Sequence, residues 1–397
     1  MSETDADWIT APATCLATMT VMSVLAPCDL PTTGLISAQI DHEMLDEIRI
    51  FAERVDDLSD GLAADGYRRL ASRLRAADVA GGRAAERIVR PTGEATADEP
   101  DHDHFFHIRR VAGASGSLFL TAIADAAALF HGEVHRAYGD AAARRFLPLG
   151  RGLSALLRVA VGCASPAALH RALPAADLMA DQPPAIAPIV PLQRWILGHQ
   201  IFAVLTQGVV FAFEGFERTT GDGDEAAAEA WLRLAVELFH ATAAAFRFAA
   251  DFPPAAYRDI IRPLMMPPRV GAGFSGLLSA DHRALVEVMT RLRPVMGETA
   301  ARHAEAHAAL RQAHVQVYDD HKMVCAAFDG AESPSLRGAG CGNVPGTELL
   351  DRFKVARTRL LRPAGSRARA ASPAPTVEPV MMATAEPRET ALATAAP

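Results

Sequence analysis

Leu310–Phe328, LRQAHVQVYDDHKMVCAAF, is the stretch on which the reading of this chain turns. Leu310, His314, Val317, His321, Val324, Cys325 and Phe328 recur at steps of three and four. That period places them on one face of an α-helix, where residues three and four apart are neighbours. Neither proline nor glycine occurs from Glu298 to Phe328, so the pattern predicts one long helix over that range. Two imidazoles and a thiol therefore sit inside an apolar stripe.

Outward from this helix the chain keeps the same character. Alanine-rich stretches bearing Leu, Arg and Glu favour helix, because alanine loses no rotamer freedom there. Helical patterns cover Phe51–Ala77, Ser117–Phe146 (interrupted near Gly139–Asp140), Trp195–Phe216, Ala226–Ala250, Ala280–Leu292 and Gly346–Leu361. Pro253–Pro254 opens a short helix through Ile261. Turn formers mark the connectors Pro91–Pro100, Pro174–Pro191, Thr220–Asp224, Pro263–Gly276 and Gly338–Gly342. The expectation is an all-α fold with irregular Pro/Gly-rich connectors: a single domain over residues 1–362, then a disordered Ala/Pro-rich tail over 363–397.

Composition narrows the function classes. With 397 residues, half of them apolar, there is ample material for a core. The formal net charge of −8 argues against a nucleic-acid partner, since phosphate binding needs a positive surface. The basic pairs Arg68–Arg69, Arg109–Arg110 and Arg144–Arg145 read as ordinary solvated faces. Five cysteines form an odd, sparse set, which fits a reducing compartment better than a disulfide framework. The acidic start, Met1-Ser-Glu-Thr-Asp-Ala-Asp, does not resemble a secretory signal, and a cytoplasmic location is expected. Trp195–Phe213 carries no formal charge and approaches the length of a bilayer span. His199, Gln200, Thr206 and Gln207 would be costly in hydrocarbon, so it reads as a buried core helix and no membrane partner is expected.

The pair His321-x-x-x-Cys325 stands one helical turn apart, roughly 6 Å along the axis. An imidazole there suits heme iron, and a thiol one turn away suits a thioether to a porphyrin vinyl group, a reversed single-cysteine version of the usual attachment signature. A core stripe with hydrogen-bonded histidines accounts for the same residues. His303-x-x-x-His307 has zinc-ligand spacing but no evident third ligand.

Three stretches resemble the tryptophan/indoleamine 2,3-dioxygenase superfamily of histidine-ligated heme enzymes. Leu310–Val324 is similar to the helix bearing that superfamily's proximal histidine, with His314 and His321 both available for the match. The loop Gly338-Ala-Gly-Cys-Gly342, followed by Leu350–Arg357, resembles the Gly-rich loop and helix that close over substrate. Pro254–Arg262, then Gly273-Phe-Ser-Gly276, resembles the segment whose arginine holds the substrate carboxylate. Within the superfamily, His282 followed at a distance by His321-x-x-x-Cys325 resembles the heme-dependent 3-methyl-L-tyrosine hydroxylases of saframycin-type antibiotic pathways.

That resemblance implies a large helical heme-binding fold like that of tryptophan 2,3-dioxygenase. It implies a c-type heme held by one thioether to Cys325, with His282 and His321 as axial ligands; His282 is expected to be the one that leaves the iron, because it follows the Gly/Pro-rich segment, where backbone motion costs least. It also implies hydroxylation of 3-methyl-L-tyrosine ortho to the phenol by hydrogen peroxide, giving 3-hydroxy-5-methyl-L-tyrosine. Arg262 is then the expected partner of the substrate carboxylate, since a guanidinium pairs bidentately with that planar group. Tyr257 would line the aromatic pocket, and His107 in Asp101–Arg109 would handle a substrate proton. Ala339 and Cys341 depart from the superfamily's loop, leaving Asn343 or Thr347 for its polar role. The expected partners are thus a small aromatic amino acid and hydrogen peroxide, with homo-oligomerisation left open. The alternatives are an indole-type heme dioxygenase using O₂, a bis-histidine electron carrier or sensor, and a helical scaffold with structural histidines.

Overall fold

The computed structural model describes residues 19–80, 99–139, 146–163, 191–276, 279–331, 333–336 and 344–362. They lie within one compact unit, Met1–Ala364. The expectations for 363–397, for Gly338–Gly342 and Asn343, and for most of the two proline-rich connectors Pro91–Pro100 and Pro174–Pro191 fall outside the described residues.

The fold is all-α, as its alanine-rich periodic stretches predict. The helices of seven residues or more are α1 Thr33–Gln39, α2 His42–Arg54, α3 Asp60–Ala80, α4 Glu99–Phe105, α5 Gly116–Tyr138 and α6 Leu147–Ala160. They continue with α7 Pro191–Gly221, α8 Glu225–Ala249, α9 Ala280–Arg302, α10 Ala304–Asp329 and α11 Gly346–Thr358. Local chemistry sets several starts: Thr32, Asp41, Ser115 and Asp224 each accept hydrogen bonds from backbone amides of the first turn. Between α8 and α9, short turns Pro254–Ala256 and Arg262–Leu264 flank a π-helical turn, Tyr257–Ile261.

Helix α7 forms the axis of the core. It packs on α8 and α9, α8 packs on α10 and α6, and α3 pairs with α5. Both α5 and α7 are long and apolar enough to cross a membrane, yet most of each apolar stretch is buried inside the fold. Close helix approach requires glycine on α7. A Cβ at Gly198 would lie 2.2 Å from the Ala249 Cβ, and one at Gly215 would lie 2.5 Å from the Trp231 ring. The polar side chains of α7 are used internally. Gln200 Nε2 donates to the carbonyls of Thr20 (2.8 Å) and Phe106 (3.1 Å), and Gln207 Nε2 donates to that of Leu25 (2.8 Å). These carbonyls flank a feature the periodicity does not reveal, a parallel pair β1 (Met22–Leu25) and β2 (Ile108–Val111), in register Met22↔Ile108. Four-residue strands are too short to establish an alternation.

Three helix boundaries differ from expectation. The Phe51–Ala77 pattern is split: α2 ends at Arg54, Val55–Asp57 forms a 3₁₀ turn, Leu58 is extended, and α3 restarts at Asp60. Asp60 is drawn inward by His131, whose Nδ1 lies 2.6 Å from its carboxylate. The helix starting at Ala280 does not stop at Leu292 but runs through Pro294 to Arg302. Pro294 and Thr290 are exposed, so the carbonyl freed by the missing N–H faces water. The expected single helix from Glu298 to Phe328 breaks at His303 (φ −124°, ψ 53°). The His303 ring is clamped to the first turns of α8, with Nε2 2.8 Å from Glu225 and Nδ1 3.2 Å from Glu229. That tertiary pairing turns the chain where the local sequence would continue the helix.

Candidate active site

The apolar stripe of α10 is buried as its period requires, with Leu310, His314, Val324 and Phe328 each under a tenth exposed. His314, Val317, His321, Val324, Cys325 and Phe328 all line one cavity of about 230 Å³. The same cavity receives His282 from the first turn of α9, Tyr257 and Arg262 from around the π-turn, and Thr347 and Arg357 from α11. Residues far apart in the chain, His282, His321, Cys325, Arg262 and Tyr257, therefore meet in one place.

The two histidines share an electrostatic setting. Burial lowers the pKa of His321 to about 4 and that of His282 to about 3, the latter helped by the charge of Arg357. Both are neutral imidazoles near pH 7, the form that ligates a metal. His282 Nε2 is buried without a hydrogen-bond partner among the described residues, a costly state for a ring nitrogen unless a ligand takes its lone pair. His321 stacks on Phe246, with ring centroids 4.4 Å apart. His314, the competing candidate on the same helix, lies 3.3 Å through Nδ1 from the Thr358 hydroxyl and packs edge-on against Phe239. Burial raises the Cys325 thiol to about 11, so it is protonated. The backbone before His282 is fixed by its neighbour. Fully buried Asp281 accepts from Arg110 Nη1 (2.6 Å) and Gln207 Nε2 (2.8 Å), while Arg110 also grips Asp103 through Nε (2.8 Å) and Nη2 (2.9 Å).

At the Cys325 end, Tyr257 stacks on Phe328 at 4.5 Å and meets Trp195 edge-on. Arg262 is ion-paired with Asp329 and also donates to the Pro334 carbonyl (3.4 Å). Thr347 donates to the Ala331 carbonyl at 2.7 Å.

His107 is not brought to this cavity. It takes a left-handed conformation (φ 52°) at the end of α4, and its carbonyl accepts from Met22 N, so it serves the entry to β2. The histidine of that cluster which does line the cavity is His102, whose Nδ1 lies 3.4 Å from Asp103. His199 also lines the wall, stacked on Phe106 at 4.0 Å with Nδ1 donating to the Trp195 carbonyl (2.7 Å). The signal for His199 was present in the sequence, as one of four polar residues in an otherwise apolar helix. His303 and His307 do not form a ligand pair: His303 faces Glu225 and Glu229, whereas His307 donates to the Leu361 carbonyl (2.7 Å).

Comparison with known proteins identifies the family. The family described as SfmD 3-methyl-L-tyrosine peroxygenase matches residues 23–309, a span that includes His282 and ends before His321. A 3-methyl-L-tyrosine peroxygenase from Streptomyces lavendulae is 30% identical over 325 residues, covering 80% of this chain and 87% of the relative. A crystal structure of reduced SfmD, obtained by soaking with sodium hydrosulfite, superposes with a TM-score of 0.55 at 25% identity. It covers 76% of this chain and 97% of that one. A helical fold that gathers these side chains around one cavity, together with a family match over most of its length, shows that the chain belongs to the SfmD 3-methyl-L-tyrosine peroxygenase family.

Proposed function

We propose that this protein is a heme-dependent peroxygenase that hydroxylates 3-methyl-L-tyrosine ortho to the phenol with hydrogen peroxide, in the cytoplasm and in the service of antibiotic biosynthesis. The observation that carries the reading is the meeting of His282, His321 and Cys325 in one cavity, with His282 Nε2 buried and without a partner among the described residues. Two neutral imidazoles and a protonated thiol one turn from the second fit a heme. His282 and His321 would hold its iron, and Cys325 would hold the macrocycle through a single thioether, its S–H adding across a vinyl group with no change of oxidation state. When bound, heme supplies the chemistry that activates peroxide.

The remaining work falls to the chain's own side chains. His321 lies within the 26-residue helix α10 and is braced by Phe246, whereas His282 is the third residue of α9. His282 would therefore be the less firmly braced of the two, free to rotate its side chain about a backbone held at Asp281. Phe106, Phe274, Tyr257 and Phe328 form aromatic walls that exclude water and orient a phenolic ring. His102, oriented by Asp103 at Nδ1, presents Nε2 as acceptor for the phenolic proton, the role first assigned to His107. Arg262 receives the substrate carboxylate in competition with Asp329.

Cys325→Ala tests the anchoring. Heme stays with the wild-type chain in acid–acetone and on denaturing gels, and it leaves the variant; retention by the variant would refute the attachment. Turnover of 3-methyl-L-tyrosine with peroxide, set against tryptophan with O₂, tests the reaction itself.

A further inference from the structure

Among the described residues two arginines line the cavity, and they differ in one respect. Arg262 is neutralised by Asp329. Arg357, on the last turn of α11, has no carboxylate partner among the described residues. Its Nη1 donates to the Tyr318 hydroxyl (2.7 Å), and its guanidinium lies 5.0 Å from the centre of the Phe353 ring. A cation facing the cavity, already holding one neutral hydrogen-bond partner, retains donors for an anion.

The position of that cation along α10 decides which anion. Tyr318 precedes His321 by about one turn, and Cys325 follows it by about one turn, so Arg357 and the thiol stand roughly 10 Å apart along the helix with His321 between them. In heme the vinyl groups and the propionates lie on opposite halves of the macrocycle. If Cys325 takes a vinyl, the propionate edge points toward the Tyr318 end. We propose that Arg357 and the Tyr318 hydroxyl form a carboxylate-binding subsite that holds a heme propionate. The proposal rests on the heme reading above.

A carboxylate in this cavity has a second source, the amino-acid end of the substrate, and the test separates the two. In the heme-loaded full-length protein, resonance Raman spectra report propionate bending directly. Arg357→Gln is expected to shift that band, and Arg357→Lys to restore part of it. In a Cys325→Ala background, where heme binds reversibly, hemin is expected to bind at least about tenfold more tightly than its dimethyl ester. Arg357→Gln should abolish that preference. If hemin binding and the Raman band are unchanged while Arg357→Gln weakens 3-methyl-L-tyrosine binding but not that of its decarboxylated amine, the propionate assignment is overturned in favour of the substrate. If none of these changes, the subsite itself is refuted. Failure of the wild-type chain to take up heme at all would instead count against the heme reading, so the two failures are distinct. Circular dichroism of each variant guards against unfolding.

Discussion

Arg110→Leu is the perturbation that most directly tests how the fold holds the candidate active site. The Arg110 side chain is 9% exposed and bridges Asp103, which is 19% exposed, and Asp281, which is fully buried. Leucine removes three charge-assisted hydrogen bonds and leaves Asp281, among the described residues, with a single side-chain donor, Gln207, while its second oxygen already has no partner there. Removing one member of a buried ion pair typically costs about 3–5 kcal/mol, because the other charge stays behind uncompensated. Against a typical stability of about 5–15 kcal/mol, that is a large fraction. With a urea m-value of about 3 kcal/mol/M, the midpoint should fall by about 1 M or somewhat more. Asp281 adjoins His282, so the heme-loaded variant should also show a weakened bis-histidine spectrum, with Arg110→Lys intermediate in both measurements. A midpoint shift below about 0.3 M, with an unaltered spectrum, would refute the claim that this network sets the position of His282.

Other expectations concern single contacts. His199 has its pKa lowered to about 3 by burial, so it stays neutral in the folded state while the unfolded chain protonates below about 6.5. Its contribution to stability is complete above pH 6.5 and is lost as pH falls toward 3, at a slope of up to about 1.4 kcal/mol per pH unit. His199→Phe, which can keep the stack on Phe106, should flatten urea-derived stability between pH 6.5 and 4.5 relative to wild type, and an identical slope would contradict this. Gly215→Ala forces a methyl group into the Trp231 ring, which the buried α7–α8 contact cannot readily accommodate. A net loss of about 1–2 kcal/mol is expected after the gain in helix propensity, and calorimetry showing a raised Tm would exclude it. Asp329→Asn frees Arg262 from its acid, and optical titration should show 3-methyl-L-tyrosine binding several-fold more tightly. Weaker binding would mean that Asp329 positions Arg262 for its task.

What the sequence determined by itself is local. The i, i+4 spacing of His321 and Cys325, and the stripe from Leu310 to Phe328, follow from helical geometry alone; its members from His314 onward form the cavity-facing side of α10, and Leu310 is buried in the core. The all-α class follows from alanine-rich periodicity, because helix hydrogen bonds close within the segment. His282, Tyr257 and Arg262 were found through resemblance to a family; nothing in their spacing from His321 states that they share its cavity.

The tertiary structure decided whatever depends on contacts between distant segments. His303 ends one helix and begins another because Glu225 and Glu229 of α8 clamp its ring, although the local run contains no breaker. His102 faces the cavity in place of His107 because the left-handed turn at His107 leads the chain into β2, whose partner β1 lies far back in the sequence. Among the described residues Arg262 carries an acid partner and Arg357 does not, a difference set by the way the ends of α10 and α11 pack. Periodicity reports which side of an element is apolar, but the identity of the neighbour that each polar group meets there arises only when the helices assemble.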